Sequence, residues 1–148
     1  MPNDAAPEPD ALTDAALSAS ETFLDAEKLD CYQLAVEFQA LAAGLLPKHG
    51  YAALRDQLDR ASISVALNIA EGAGRCSPAD KARIYAIARG SATECAAILD
   101  VASSRGLGSA LQCRRGRALL VRIVQMLSRL IAHDRSSRVA VIIATQRT

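Results

Sequence analysis

The chain has 148 residues, of which 51% are hydrophobic and 3% aromatic, and this is enough for one hydrophobic core but hardly for two. Its apolar residues are mostly Ala, Leu, Ile and Val at a spacing of three to four, which indicates an all-α protein. The net charge of +1 hides two opposite ends, because residues 1–50 carry −7 and residues 101–148 carry +8.

The first predicted region is an acidic tail, residues 1–24, rich in Ala and Pro. It has too few large apolar side chains to offset the entropy lost on ordering, so we expect it to be disordered. Its charge is opposite to that of the C-terminal region. This suggests the hypothesis that the tail lies over a basic face of its own or a neighbouring subunit and competes with nucleic acid there.

Residues 25–134 are predicted to form four helices, the first two over about residues 25–46 and 51–71. Each has an apolar stripe at helical spacing. The second half of helix two is apolar nearly all round, although a four-helix bundle covers only one side of a helix. We therefore predict that part of helix two meets another subunit, through Ile63, Leu67 and Ala70.

Helix three has a clear start, with Ser77 as N-cap, Pro78 at the first helical position and Asp80 in the first turn. After a turn at Gly106, helix four is predicted over about Ser109–His133. Because the connections are short, neighbouring helices should pack in sequence order. The expected fold is an all-α, antiparallel up-and-down four-helix bundle.

Residues 135–148 form a predicted C-terminal tail that is basic and contains the apolar run Val139–Ala144. Six apolar residues are far too few to cross a bilayer, and no membrane partner is expected. The run either extends the core, forms a short strand or adds to an oligomer contact. The sequence leaves these alternatives open.

Neither a metal site nor a catalytic site is expected. The cysteines form no CxxC pair and have no His at ligand spacing. The histidines lie at helix ends, outside any Glu-x-x-His repeat or nucleophile motif, and no signal segment precedes the first helix. We expect a cytoplasmic protein that is not an enzyme, without catalytic residues, metal or cofactor. The residues concerned are Cys31, Cys76, Cys95, Cys113, His49 and His133.

The stretch SISVALNIAEGAGR ends an apolar helix with two polar side chains. Asn68 is expected to bond the backbone of a neighbouring helix or subunit, because an unsatisfied buried amide costs about 1 to 3 kcal/mol. Gly72 and Gly74 should let the chain turn sharply. Glu71 should accept hydrogen bonds from free amides of helix three or from Arg75. This predicts a helix-to-helix corner, with anion binding at the start of helix three as the alternative.

A second polar cluster lies in the middle of helix three. Folding helix three back on helix two places Glu94 opposite Arg55 and brings Arg89 near Asp59. A glycine inside a helix costs about 1 kcal/mol relative to Ala, so a close approach of another helix is expected there. Packing is favoured over a direct ligand contact for the cluster, which consists of Arg89, Gly90, Ser91 and Glu94.

Helix four carries the candidate functional residues. Arg115, Arg122 and Arg129 recur every seven residues and so share one face, about 10 Å apart at a rise of 1.5 Å per residue. This spacing matches the scale of phosphates on a nucleic acid, and Arg114 and Arg117 flank the stripe. The alternative is an ordinary solvated helix face, for which Arg is well suited.

Residues 61–95 resemble the small four-helix-bundle proteins encoded in intervening sequences of large ribosomal RNA genes, whose relatives include the accessory variability protein of diversity-generating retroelements. The resemblance implies a left-handed bundle that assembles into a barrel-like pentamer, has no known enzymatic activity and engages nucleic acid or a nucleic-acid enzyme through a basic surface. The matching residues are Ser64, Asn68-Ile69-Ala70-Glu71-Gly72, Arg75, Ser77, Ala88, Gly90-Ser91 and Glu94.

Two functions follow from these observations. The first is a ring-like homo-oligomeric scaffold, pentameric by resemblance, that contacts the RNA or DNA backbone without reading bases, since aromatic stacking platforms are scarce. The second is a protein-interaction adaptor that docks a nucleic-acid enzyme such as a reverse transcriptase.

Overall fold

A computed structural model describes residues 23–145, except for the side chains of residues 141, 143 and 144. A short 3₁₀ helix, Asp25–Lys28, precedes four α-helices. They are α1 (Asp30–Ala42), α2 (Ala52–Ala73), α3 (Pro78–Ser104) and α4 (Ala110–Thr145). Most of the predicted acidic tail, residues 1–22, lies outside the described residues.

The helices pack in a closed cycle. Helix α1 packs against α2 and α4, and α3 packs against α2 and α4, while the Cα atoms of neither diagonal pair come within 8 Å in residues 23–145. Together with the short connections, this arrangement confirms the predicted antiparallel four-helix bundle. Across the same residues, no helix combines the length and apolarity needed to cross a membrane.

The core lies along the bundle axis and is built mostly from aliphatic side chains. Phe38 of α1 and Leu120 of α4 are fully buried, as are Val65 and Ile69 of α2. On α3 the buried positions include several alanines, such as Ala88 and Ala92, and these small side chains let the neighbouring helices approach closely. The core therefore explains the low aromatic content of the sequence.

The helix boundaries follow from local chemistry. The Ser77 hydroxyl accepts a hydrogen bond from the Asp80 amide at 3.5 Å and Pro78 opens α3, as predicted. The turn before α4 requires Gly108, which has a φ of 72°. A Cβ atom at this position would lie 2.1 Å from the Leu45 carbonyl oxygen, so no other residue fits there. The first predicted helix is split, because Leu29 is extended and separates the 3₁₀ helix from α1.

Helix α4 continues beyond the predicted end at His133 to Thr145. The hydroxyls of Ser136 and Ser137 donate to the Ala132 and His133 carbonyls at 3.0 Å. These bonds satisfy the polar side chains within the helix, so the polar run at residues 134–138 does not end it. The apolar residues that follow are helical rather than a strand, and the described ones remain exposed.

Candidate nucleic-acid interface

The five arginines predicted to bind nucleic acid are all exposed on α4, but they fall into two groups. Arg115 forms an ion pair with Glu37 of α1 at 3.1 Å. Arg117 donates to both carboxylate oxygens of Asp100 on α3, at 2.8 and 3.0 Å. These two arginines join neighbouring helices, so much of their charge is already matched.

The other three, Arg114, Arg122 and Arg129, have no acidic partner among residues 23–145. Arg122 and Arg129 are two helical turns apart, which corresponds to about 10 Å along the axis. Their charge is therefore available to solvent or to a bound anion. We call Arg114, Arg122 and Arg129 the unpaired arginines of α4.

Arg129 also lines a cleft of about 500 Å³ between α4 and the start of α1. Met126 and Leu130 give this cleft apolar lining, and Lys28, His133 and one acid, Asp30, also line it. The basic face of α4 thus ends in a concave surface rather than on a smooth helix.

The helical continuation of α4 adds two arginines that were predicted to lie in the C-terminal tail. Arg135 and Arg138 are exposed and have no acidic partner in the part of the chain that the structure describes. A usable signal was present in the sequence, because no Gly or Pro follows His133 to end the helix.

The polar side chains of the predicted helix-to-helix corner, Asn68 and Glu71, find their partners on α2 and in the turn that follows it. Glu71 forms an ion pair with Arg75, as one of the two predicted alternatives had it. Within the described chain, no bond from Asn68 to a neighbouring helix of the bundle forms, contrary to that part of the prediction. Its half-buried side chain donates to the Ser64 carbonyl at 2.8 Å and to the Ser64 hydroxyl at 3.0 Å, on its own helix. No neighbouring backbone is needed, because the residue four positions earlier supplies both acceptors.

Gly72 and Gly74 were both expected to let the chain turn. Gly74 does lie in the turn that ends α2, but the expectation for Gly72 was wrong. Gly72 lies inside α2, where a Cβ atom would be 2.7 Å from the ring of Tyr85. The glycine is required because the buried Tyr85 ring of α3 packs directly on the α2 backbone. Removal of this ring from water raises the pKa of Tyr85 to about 12.

The second polar cluster joins α2 to α3 through contacts other than those predicted. Glu94 accepts from Gln57 at 2.6 Å, not from Arg55, and the Ser91 hydroxyl lies 2.9 Å from that of Ser64. Arg55 instead donates to the Pro47 carbonyl at 2.7 Å, in the loop before α2.

Two further expectations for this cluster were wrong. Arg89 contacts the Ser128 hydroxyl of α4 at 3.3 Å, not Asp59. Gly90 faces open space, since a Cβ there would meet nothing within 4 Å. Because α3 turns this position away from its neighbours, no helix of the bundle approaches it.

The predicted subunit interface is accessible on the outer side of α2. Leu67 is 64% exposed and Ile63 is 38% exposed, whereas Ala70 is half-buried. Ile87 of α3 is also exposed. These apolar side chains are not needed to close the bundle.

The described cysteines differ in accessibility. Cys31, Cys95 and Cys113 are buried and Cys76 is exposed. Burial raises the pKa of Cys31, and it raises that of Cys95 to about 12. Residues 23–145 contain no group of three His, Cys, Asp or Glu side chains placed to hold a metal ion.

The bundle and the 61–95 motif can now be compared with known proteins. The model of the 23S rRNA-intervening sequence protein family matches residues 27–129. The chain belongs to this family. The match confirms the resemblance seen in the sequence, and a search of curated proteins found no match.

The family match covers the bundle from the 3₁₀ helix to Arg129. It therefore includes all five predicted arginines of α4. It stops before Arg135 and Arg138, which lie on the helical extension of this 23S rRNA-intervening sequence family member.

Proposed function

We propose that this protein is a non-enzymatic cytoplasmic scaffold that binds the phosphate backbone of RNA or DNA through the unpaired arginines of α4. The observation that carries the proposal is the difference in pairing along one helix. Arg115 and Arg117 are held by acids of neighbouring helices, whereas Arg114, Arg122 and Arg129 have no such partner in the described chain. The family is named for intervening sequences of 23S rRNA, which makes RNA the first ligand to test.

The expected contact is electrostatic. A guanidinium group presents several donors in a fixed plane and binds phosphate oxygens with two hydrogen bonds. The exposed aromatic rings of the described chain, Phe23 and Tyr51, do not lie on α4, so base stacking is not part of this proposal. Binding should therefore depend strongly on salt and weakly on sequence.

Self-association would strengthen such binding. We propose that Ile63 and Leu67 of α2 form a contact between copies of the chain in a homo-oligomer, which the family resemblance suggests is a pentamer. Several copies of α4 on one particle would then contact a single nucleic acid, and the second contact would form at a high effective concentration.

The test is fluorescence anisotropy with labelled RNA and DNA at several salt concentrations between about 50 and 200 mM. Each backbone contact contributes about 0.7 to 0.9 to the slope of log affinity against log salt. The variant R114Q/R122Q/R129Q should therefore lose about 2 to 3 from this slope, together with most of its affinity.

A matched control removes three exposed positive charges elsewhere, as K48Q/R60Q/R105Q. This control should keep most of the slope, because none of the three lost charges is on α4. Equal losses in the two variants would show that binding follows net charge alone, and absence of binding at low salt would reject the proposed function.

The second candidate is a protein adaptor that docks a nucleic-acid enzyme such as a reverse transcriptase. Two exposed apolar side chains, Leu111 and Val121, lie on α4 among the arginines, and apolar groups contribute to a protein contact more than to a phosphate contact. A partner that remains bound after nuclease treatment, and is lost in L111S/V121S, would favour the adaptor.

A further inference from the structure

A second basic surface lies at the other side of α4, where its C-terminal extension packs beside the first turns of α3. These elements enclose a cleft of about 460 Å³. Arg83 of α3 and Arg135 and Arg138 of α4 line it, and alanines form much of the remaining wall. The volume is in the usual range for a small-molecule site, roughly 300 to 1,000 Å³.

The charges in this cleft are unbalanced. Asp80 is the acid among the lining residues, and its carboxylate lies 3.9 Å from Arg83 with both side chains more than half exposed. Such a pair is weak. Arg135 and Arg138 have no acidic partner within residues 23–145. Three cations facing one acid leave a local excess of about two positive charges, whose mutual repulsion an anion would relieve.

We propose that Arg83, Arg135 and Arg138 bind a phosphoryl group in this cleft. A phosphate monoester or pyrophosphate carries a charge that matches the local excess, and its several oxygens can accept from three guanidinium groups at once. A carboxylate has one charge and two oxygens, so it would leave part of the site unmatched.

The side chains, rather than the end of α3, supply this site. Ser77 already accepts the Asp80 amide at the start of the helix. Arg138 also lines an adjoining cleft of about 370 Å³ together with Ser77 and Ile142.

This inference does not depend on the proposed function. Arg129 lies in a cleft against the start of α1, whereas Arg135 and Arg138 lie against α3. The two surfaces are therefore on different sides of α4, and each can be removed without the other.

The test titrates the full chain with sodium pyrophosphate at constant ionic strength and follows the binding by NMR. The amide signals of Ala79 and Ala82 should shift and saturate with pyrophosphate, and acetate should have little effect. R135Q/R138Q, and separately R83Q, should weaken pyrophosphate binding about tenfold or more. The matched double variant R60Q/R105Q removes two exposed arginines that are not on α4 and should bind pyrophosphate as the wild type does.

All three variants change exposed side chains, so each should retain its helical circular dichroism. An absence of saturable shifts by about 10 mM pyrophosphate, equal binding in R135Q/R138Q, or equal binding of acetate would overturn the proposal. Once pyrophosphate binding is established, a competing oligonucleotide separates two sources of the phosphoryl group. Displacement of pyrophosphate identifies a nucleic-acid backbone, and persistence of pyrophosphate binding identifies a free phosphate compound.

Discussion

Polar side chains between α2 and α3 differ from those on α4 in whether they have partners within the bundle. Between α2 and α3, Ser64 meets Ser91 and Gln57 meets Glu94, so polar groups at the helix contact have partners within the bundle. On α4 some arginines have such partners and others, such as Arg122, have none in the described residues. The comparison teaches that local pairing separates side chains that hold the bundle together from those free to bind another molecule.

The largest expected effect tests whether the outer side of α2 is covered by another subunit. Leu67 is exposed in the single chain, so L67E should leave the bundle folded but add a charge to any apolar contact. We expect an oligomer to dissociate fully, as measured by size-exclusion chromatography with light scattering.

The matched control for L67E is L111E on α4, because Leu111 is similarly exposed, at 69% against 64%. L111E should leave the oligomer at its original mass. A full-size oligomer in L67E would place the subunit contact elsewhere on the bundle.

The next effect concerns Gly72, where an added methyl group would overlap the Tyr85 ring. G72A should lower the free energy of unfolding by about 2 kcal/mol, since overpacking a core typically costs 1 to 3 kcal/mol. Urea denaturation followed by circular dichroism measures this change. Wild-type stability in G72A would mean that α2 and α3 do not pack as closely as described.

Gly90 provides the opposite case within the same pair of helices, because a methyl group there meets nothing within 4 Å. G90A should raise the free energy of unfolding by about 1 kcal/mol through helix propensity. The same urea measurement applies. A loss of stability in G90A would indicate that another subunit covers this position.

These two glycines also show what sequence could and could not predict. The order of the helices and the Ser77 cap depend on neighbours close in the chain and were predicted correctly, and the Glu71–Arg75 pair was one of two predicted alternatives. The roles of Gly72 and Gly90 depend on which residue of another helix faces them. That information is not contained in helical spacing, so a turn was expected at the first and a close approach at the second.

The arginines of α4 have the same limitation. Their shared face followed from the seven-residue spacing, but their pairing depends on acids that are distant in sequence. Glu37 and Asp100 lie on α1 and α3, and only the packed bundle brings them to Arg115 and Arg117. The continuation of α4 beyond His133 was not predicted. There, Ser136 and Ser137 bond back into the helix.

The smallest expected effects on stability are those of two double arginine variants of α4, which also serve to test RNA binding. R115Q/R117Q removes two paired arginines and should lower the free energy of unfolding by less than about 1 kcal/mol per pair, as is usual for exposed ion pairs. R122Q/R129Q removes two unpaired arginines from the same helix and should leave stability unchanged. Both variants lower the net charge by two, so they differ mainly in pairing.

The decisive measurement is the salt dependence of RNA binding by these two double variants. We expect R122Q/R129Q to lose about 1.4 to 1.8 from the slope of log affinity against log salt, while R115Q/R117Q keeps nearly all of it. Equal losses in both variants, or a larger loss in R115Q/R117Q, would contradict the claim that the arginines without partners in the bundle are the ones that bind.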